Sequence, residues 1–207
     1  MRKNSTFVWI VLFLLICATS SAQGVYPIDG VYFSFESFRA GTPELVKDQL
    51  FRDSKGAQPV ASIKQWFTTQ DLYYTSGSDG VASMMDKPVW GYVENSAIHV
   101  FLNGRFHKIL LFGTISYFKE SYPIVKGQMT PVVTDARTTS TYRLMDMHTG
   151  RIGTYEPGRL ETLMRDDEEL LTAFRALGSA KTKQRQMYSF IERYNKKHPI
   201  LPTTTEK

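Results

Sequence analysis

The chain has 207 residues, with 25 Lys and Arg against 20 Asp and Glu, a single cysteine, and 13 % aromatic residues. That length holds one ordinary domain with a real core and falls short of two. The basic excess is too mild to imply nucleic acid as a partner.

Arg2 and Lys3 precede an apolar run from Phe7 to Ile16, and small polar residues follow as far as Ala22. This is the order of a cleavable signal peptide over residues 1–22. The run is too short for a membrane span, which needs about 20 apolar residues. Ser20 and Ala22 suit the positions three and one before a signal peptidase cut, so cleavage is expected between Ala22 and Gln23. Acylation at Cys17 is the rival, but Ile16 is bulky where that processing wants a small residue. Removing 22 of the 207 residues leaves 185, and losing Arg2 and Lys3 leaves 23 basic against 20 acidic residues, a net +3. Cys17 lies in the removed segment, so the expected mature chain, periplasmic or extracellular, has no thiol nucleophile, zinc–cysteine site or iron–sulfur cluster.

Residues 30–38 (GVYFSFESF) alternate Phe33 and Phe35 with Ser34 and Glu36 and read as a first strand. Gly41 and Pro43 mark a turn. Two short strands are expected near 48–52 and 60–67, an extended piece at 69–74, and a loop at TSGSDG. The strongest strand signal runs from Val89 to Phe118, broken by Asn95-Ser96 and by Asn103-Gly104, the latter a strong hairpin signal. A two-residue turn there sets Val100 opposite His107 and His99 opposite Lys108. Residues 122–141, rich in Pro, Gly and Thr, read as a surface loop or irregular edge. TYRLMDM and RIGTYE then flank a turn at His148-Thr149-Gly150.

Past Pro157 the apolar period changes from two to about 3.6. Leu160, Leu163 and Met164 form one stripe. Asp166 with Glu169 suggests a capping box for a second helix carrying Leu170, Phe174 and Leu177, stopped at Gly178. Met187, Phe190, Ile191 and Tyr194 define a third helix over about 181–195, ending near His198-Pro199 before a polar tail expected to be disordered. Strands followed by helices predict one α+β domain over 23–207: a curved antiparallel sheet with two or three C-terminal helices. A small closed β-barrel with a helical cap is the alternative.

GVYFSFESF, WGYVENSAIHV, the DMHTG turn and IERYNKKHP together resemble an uncharacterised family of exported proteins from Bacteroidota, over most of the chain beyond the signal segment. The resemblance implies export and brings no catalytic residues.

The candidate chemistry is sparse. His99 and His107 fall on opposite faces of their hairpin, and His148 and His198 are distant in sequence, so no metal site is expected. Paired carboxylates could hydrolyse a glycan, but the acidic run Asp166–Glu169 sits where a helix begins and reads as capping. Glu36 and Glu94, in or beside aromatic strands, are the better acids, although alternation puts Glu36 on the polar face. No G-x-S-x-G elbow occurs, TSGSDG lacks the lysine of a phosphate loop, and DMHTG has too few oxygen ligands for calcium. Lys181, Lys183, Arg185, Arg193, Lys196 and Lys197 make the last helix basic, which suits a solvated face or an acidic envelope surface. Trp66, Trp90 and Tyr92 could stack on sugar rings if exposed.

The reading that follows is a non-enzymatic exported protein that binds or scaffolds an envelope ligand or partner. It needs no cofactor, nucleic acid or integral membrane segment after signal cleavage. A hydrolase of envelope glycan or peptidoglycan and a membrane-surface accessory protein are the alternatives.

Overall fold

The computed structural model describes residues 27–68, 72–75, 80–83, 88–123 and 138–200. The signal segment with Ala22 and Gln23, residues 76–79 of the TSGSDG loop, the stretch 124–137 and the C-terminal tail lie outside the described residues.

The first strand, β1 (Gly30–Tyr32), is shorter than the sequence suggests, because helix α1 (Phe35–Ala40) follows it at once. The Ser34 hydroxyl accepts from Ser37 N at 3.0 Å and Ser34 N donates to Ser37 Oγ at 3.4 Å, closing a capping box with serine at both ends. Phe35 thus belongs with Phe38, three residues on along a helix face, and not with Phe33 along a strand. Gly41 ends the helix at φ 65°, a left-handed stop.

An insert comes next: a 3₁₀ turn (Lys47–Gln49), β2 (Leu50–Phe51), α2 (Ile63–Trp66), β3 (Tyr73–Thr75) and β4 (Val81–Ser83). Its strands form a small antiparallel sheet in the order β2-β3-β4. The strand expected over 60–67 is replaced by the single helical turn of α2. Ser62 caps it locally by accepting from Gln65 N, and Glu94 accepts from Ile63 N at 2.6 Å. The second cap is 31 residues away in sequence, so no local pattern announces it.

The main sheet is a meander of β5 (Gly91–Glu94), β6 (Ala97–Leu102), β7 (Arg105–Leu111), β8 (Ile115–Pro123), β9 (Thr138–Asp146) and β10 (Ile152–Thr154), with β1 added beside β5. All its pairings are antiparallel. Asn95 and Ser96 (φ 51° and 61°) and Asn103 and Gly104 (φ 50° and 78°) make two tight turns with the left-handed backbone that twisted hairpins require. Val100 faces His107 and His99 faces Lys108, as the turn length predicts. The stretch 122–141 is not loop throughout, since β8 runs on to Pro123 and β9 begins at Thr138. A register shift between Ile109 and Leu111 marks a bulge, a device that bends a sheet. β1 and β10 are the two end strands and do not pair with each other, β1 being bridged on its outer side only at Val31 by Leu45, so the sheet stays open and is not a barrel.

Three helices end the fold: α3 (Pro157–Leu163), α4 (Glu168–Arg175) and α5 (Ala180–Lys197). The cap of α4 is Asp167, one residue later than expected, accepting from Leu170 N at 3.1 Å. Asp166 instead accepts from the Tyr194 hydroxyl at 2.8 Å, and Glu169 pairs with Lys197 at 2.8 Å. The molecule is therefore α+β, an open antiparallel sheet with C-terminal helices. Among the described residues no helix is long and apolar enough to cross a membrane.

Alternation along the strands divides the buried side chains into three cores. On the first sheet face, α1 packs Phe35 and Phe38 against Tyr32, Val100, Phe118 and Met145. The second face is covered at two places. The insert packs Ile63 and Trp66 against Val31 and Tyr92 at the β1–β5 end, and the three helices pack against Ile115 and Leu144 at the β8–β9 end. Each patch removes several large apolar side chains from water, at roughly 1.5–3 kcal/mol apiece.

Candidate functional site

The two coverings of the second face leave a strip of sheet open between them. The strand registers place one side chain from each of five strands, and Tyr155 just past β10, in a single row across it. Tyr92 faces His99, His99 faces Lys108, and Lys119 faces Tyr142. Lys108 and Lys119 each lie one residue beyond the Ile109–Phe118 pair, on the same side of it, and stand next to each other in the row. Tyr155 N donates to Tyr142 O and continues the row on the far side. From β5 to the end of β10 the row reads Tyr, His, Lys, Lys, Tyr, Tyr.

Its two ends are anchored differently. Tyr92 is buried, and the His99 ring stacks on it at 4.4 Å with the planes 7° apart. Burial, then the charge of nearby Glu94, pushes the Tyr92 hydroxyl up to about 12. His99 is shifted down, first by burial and further by Lys108 and Lys64, against the opposing pull of its bond with the Ala97 carbonyl and of Glu94. At the other end four tyrosines meet. Tyr117 stacks on Tyr142 with centroids 5.1 Å apart and touches Tyr155 and Tyr188 at 5.2 and 6.1 Å. Burial chiefly, then the Tyr142 hydroxyl, raises the Tyr117 hydroxyl, which therefore stays neutral and able to donate. Tyr142 and Tyr188 are 40 % and 44 % exposed.

The middle of the strip is open as well. Lys108 and Lys119 are exposed, Phe101 is 42 % exposed beside Phe106, and Leu110 at the bulge is 55 % exposed. Phe67 of the insert leans over Phe106 at 4.3 Å and forms the near wall; Tyr188 on α5 forms the far one. Among the described residues, no carboxylate lies within ion-pair distance of either lysine. Aromatic faces beside cations that have no ion pair among the described residues offer the chemistry of stacking and cation–π contact.

The residues that sequence reasoning singled out lie mostly elsewhere. Trp66 is fully buried, its indole N–H donating to Tyr73 O at 3.0 Å, and Tyr92 is 2 % exposed, so neither offers a face to a ligand. Both belong to the core under the insert, while Trp90 packs on Phe38 at 4.4 Å on the opposite face of the sheet. An indole and a phenol in strands fill the core for the same reason they would stack on sugar, a large apolar area. Glu36 is exposed on the first turn of α1. Glu94 is committed to the N–H groups of α2.

His99 and His107 do point to opposite faces, and His107 packs near Phe118 with Nε2 3.2 Å from Leu102 O. In the DMHTG turn, Asp146 accepts from His148 N and the Thr149 hydroxyl, which makes it a turn brace. His198 Nε2 lies 3.0 Å from Asp167, but the nearby Thr114 hydroxyl donates to the His198 backbone carbonyl and not to its ring. The pair is a helix cap, without the nucleophile a hydrolytic triad needs. Glu120, fully buried on the first face, accepts from Arg143 Nε at 2.6 Å and Asn103 Nδ2 at 2.7 Å, tying the tip of the β6–β7 hairpin to β8 and β9. Among the described residues no group of three His, Cys, Asp or Glu side chains could hold a metal ion.

On α5, Lys183 pairs with Glu161 and Lys197 with Asp167 and Glu169, which leaves Lys181, Arg185 and Lys196 as exposed cations with no ion pair among the described residues and Arg193 over the Phe190 ring at 4.8 Å. The open row, Phe101 and Tyr188 escaped sequence reasoning. Two of its six members were nevertheless implicit in the hairpin register that set His99 opposite Lys108.

Comparison with known proteins yields no match among family models, curated proteins or solved structures. The site rests on its own geometry.

Proposed function

We propose that this is a non-enzymatic exported protein of the cell envelope that binds its ligand on the open strip of the second sheet face. The observation that carries the reading is the half-exposed aromatic and lysine row held between two packed cores. A surface whose aromatic rings are fixed by neighbouring rings loses little entropy on binding. Export rests on the charge, apolar and small-residue order of residues 1–22. Against hydrolysis stands the use of Glu94 as a helix cap, with Asp166 and Asp167 likewise engaged.

The test is a binding screen of the purified protein against labelled envelope glycans and peptidoglycan, run beside a turnover assay on the same samples. Saturable binding that falls in Phe101→Ala and Tyr142→Ala, without product release, is the expected result. Turnover abolished by Glu36→Gln or Glu94→Gln without loss of fold overturns it in favour of a hydrolase. Lysine-dependent vesicle binding lost on neutralising Lys181 and Arg185, with no glycan bound, favours the membrane-surface role instead.

A further inference from the structure

We infer that the ligand of this strip is a carboxylate-bearing glycan, with Lys108 and Lys119 taking its charge and the flanking aromatic rings taking its sugar faces. The inference rests on the binding surface proposed above and assigns its chemistry. Like charges directly opposite each other on neighbouring strands destabilise a sheet. Here two exposed lysines sit on neighbouring strands at the centre of the row, each one residue past the Ile109–Phe118 pair, with no carboxylate in ion-pair distance among the described residues. Glu94, the acid whose charge acts on His99, spends both oxygens on Ile63 N and Lys64 N. Among the described residues the cationic centre therefore has no counter-ion of its own, which suits an anion from outside.

On either side of the lysines stand aromatic groups, Phe101 and Phe106 toward the insert and Tyr142 and Tyr117 toward α5. A polymer that alternates a flat apolar ring face with a negative charge matches that sequence of surfaces. Shape argues for the same class. The strip is floored by strands and bounded on both sides by elements rising from the same face, so it admits a chain more readily than a planar bilayer. Two lysines and a mild overall charge are also too few for a nucleic acid, whose backbone demands several phosphate contacts.

The experiment is titration of the full chain with polygalacturonate oligomers and with the same oligomers methyl-esterified, which keeps the rings and removes the charge. Polygalacturonate is expected to bind at least about tenfold more tightly, the worth of charge-assisted hydrogen bonds. Lys108→Gln with Lys119→Gln should erase that difference and the salt dependence, while Tyr142→Ala weakens both forms. Because the double lysine variant relieves a repulsion, its thermal midpoint should hold or rise, which separates lost binding from lost fold. Equal binding of both forms, unaffected by the lysine changes, overturns the anionic assignment and leaves the binding surface standing. Binding of neither form overturns the assignment too, as does lysine-dependent binding to phosphatidylglycerol vesicles alone; the surface itself then stands or falls on the glycan screen.

Discussion

Asn195 clamps Ile115 on both sides: its Oδ1 accepts from Ile115 N at 2.8 Å and its Nδ2 donates to Ile115 O at 2.8 Å. One amide side chain thus replaces a missing strand partner at the start of β8 and fixes the last turns of α5 to the sheet. Asn195→Ala leaves a part-buried donor and acceptor unpaired and is expected to cost about 2–3 kcal/mol. Urea unfolding should show a lower midpoint with an unchanged slope. Asn195→Asp, which keeps the acceptor and loses the donor, should fall between the two.

The neighbouring Asp167 sets the acid behaviour. Burial pushes its carboxyl up, but hydrogen bonds from His198, Leu170 N and Lys197 outweigh that and hold it at about 2. Its folded value lies below the ordinary carboxyl value, so its contribution is full above that value and is lost as pH falls through about 2. His99, also shifted down, stays neutral in the fold while the unfolded chain takes a proton below 6.5, so its effect has the same sign. Stability measured from pH 8 to 2 should therefore decline on acidification in two steps. His99→Phe should flatten the upper step and Asp167→Asn the lower.

Gly150 closes the β9–β10 turn at φ 72°, and a Cβ there would meet the Phe35 ring at 2.6 Å. Gly178 has a similar φ of 75° but open space around it. Gly178→Ala should cost about 1 kcal/mol, the price of a left-handed backbone alone. Gly150→Ala should cost more, because α1 must also shift. Thermal denaturation of the two variants checks the order.

Glu94→Gln is expected to lower stability by about 1 kcal/mol, since it weakens the bonds to Ile63 N and Lys64 N. Glu36→Gln, on an exposed helix turn, should stay within about 0.5 kcal/mol of the parent. Equal effects in denaturant titration would argue that Glu94 does not brace α2.

The parts of the fold that could be read in the sequence are those where local chemistry decides the outcome. Asn103-Gly104 fixes a two-residue turn, and with it the register of Val100 and His99. Met187, Phe190, Ile191 and Tyr194 share a helix face because spacing alone puts them there. Residues 33–38 defeated the pattern: Phe33 and Phe35 alternate like a strand while Phe35 and Phe38 space like a helix, and the Ser34–Ser37 cap decides between them. α2 is a single turn whose local Ser62 cap escaped sequence reasoning, and its second cap, Glu94, comes from another element and leaves no local pattern. The site was visible only in part. His99 and Lys108 follow from a tight turn, whereas Lys119 and Tyr142 depend on the pairing of β8 with β9, whose connection is too long to set a register.

The position of β1 governs the order in which the molecule can assemble. β5, β6 and β7 close through two-residue turns, so each meets its partner almost as soon as it exists. β1 pairs with β5 across the whole insert, Gly30 with Val93 and Tyr32 with Gly91, and must wait for a distant partner. Pairings distant in sequence are the slow ones, because a large loop must close before any contact forms. A chain threaded outward N-terminus first would then hold β1 unpaired longest. Pulse-labelled hydrogen exchange during refolding should protect the β6–β7 amides before those of β1, and simultaneous protection would show that the insert and the meander fold as one unit.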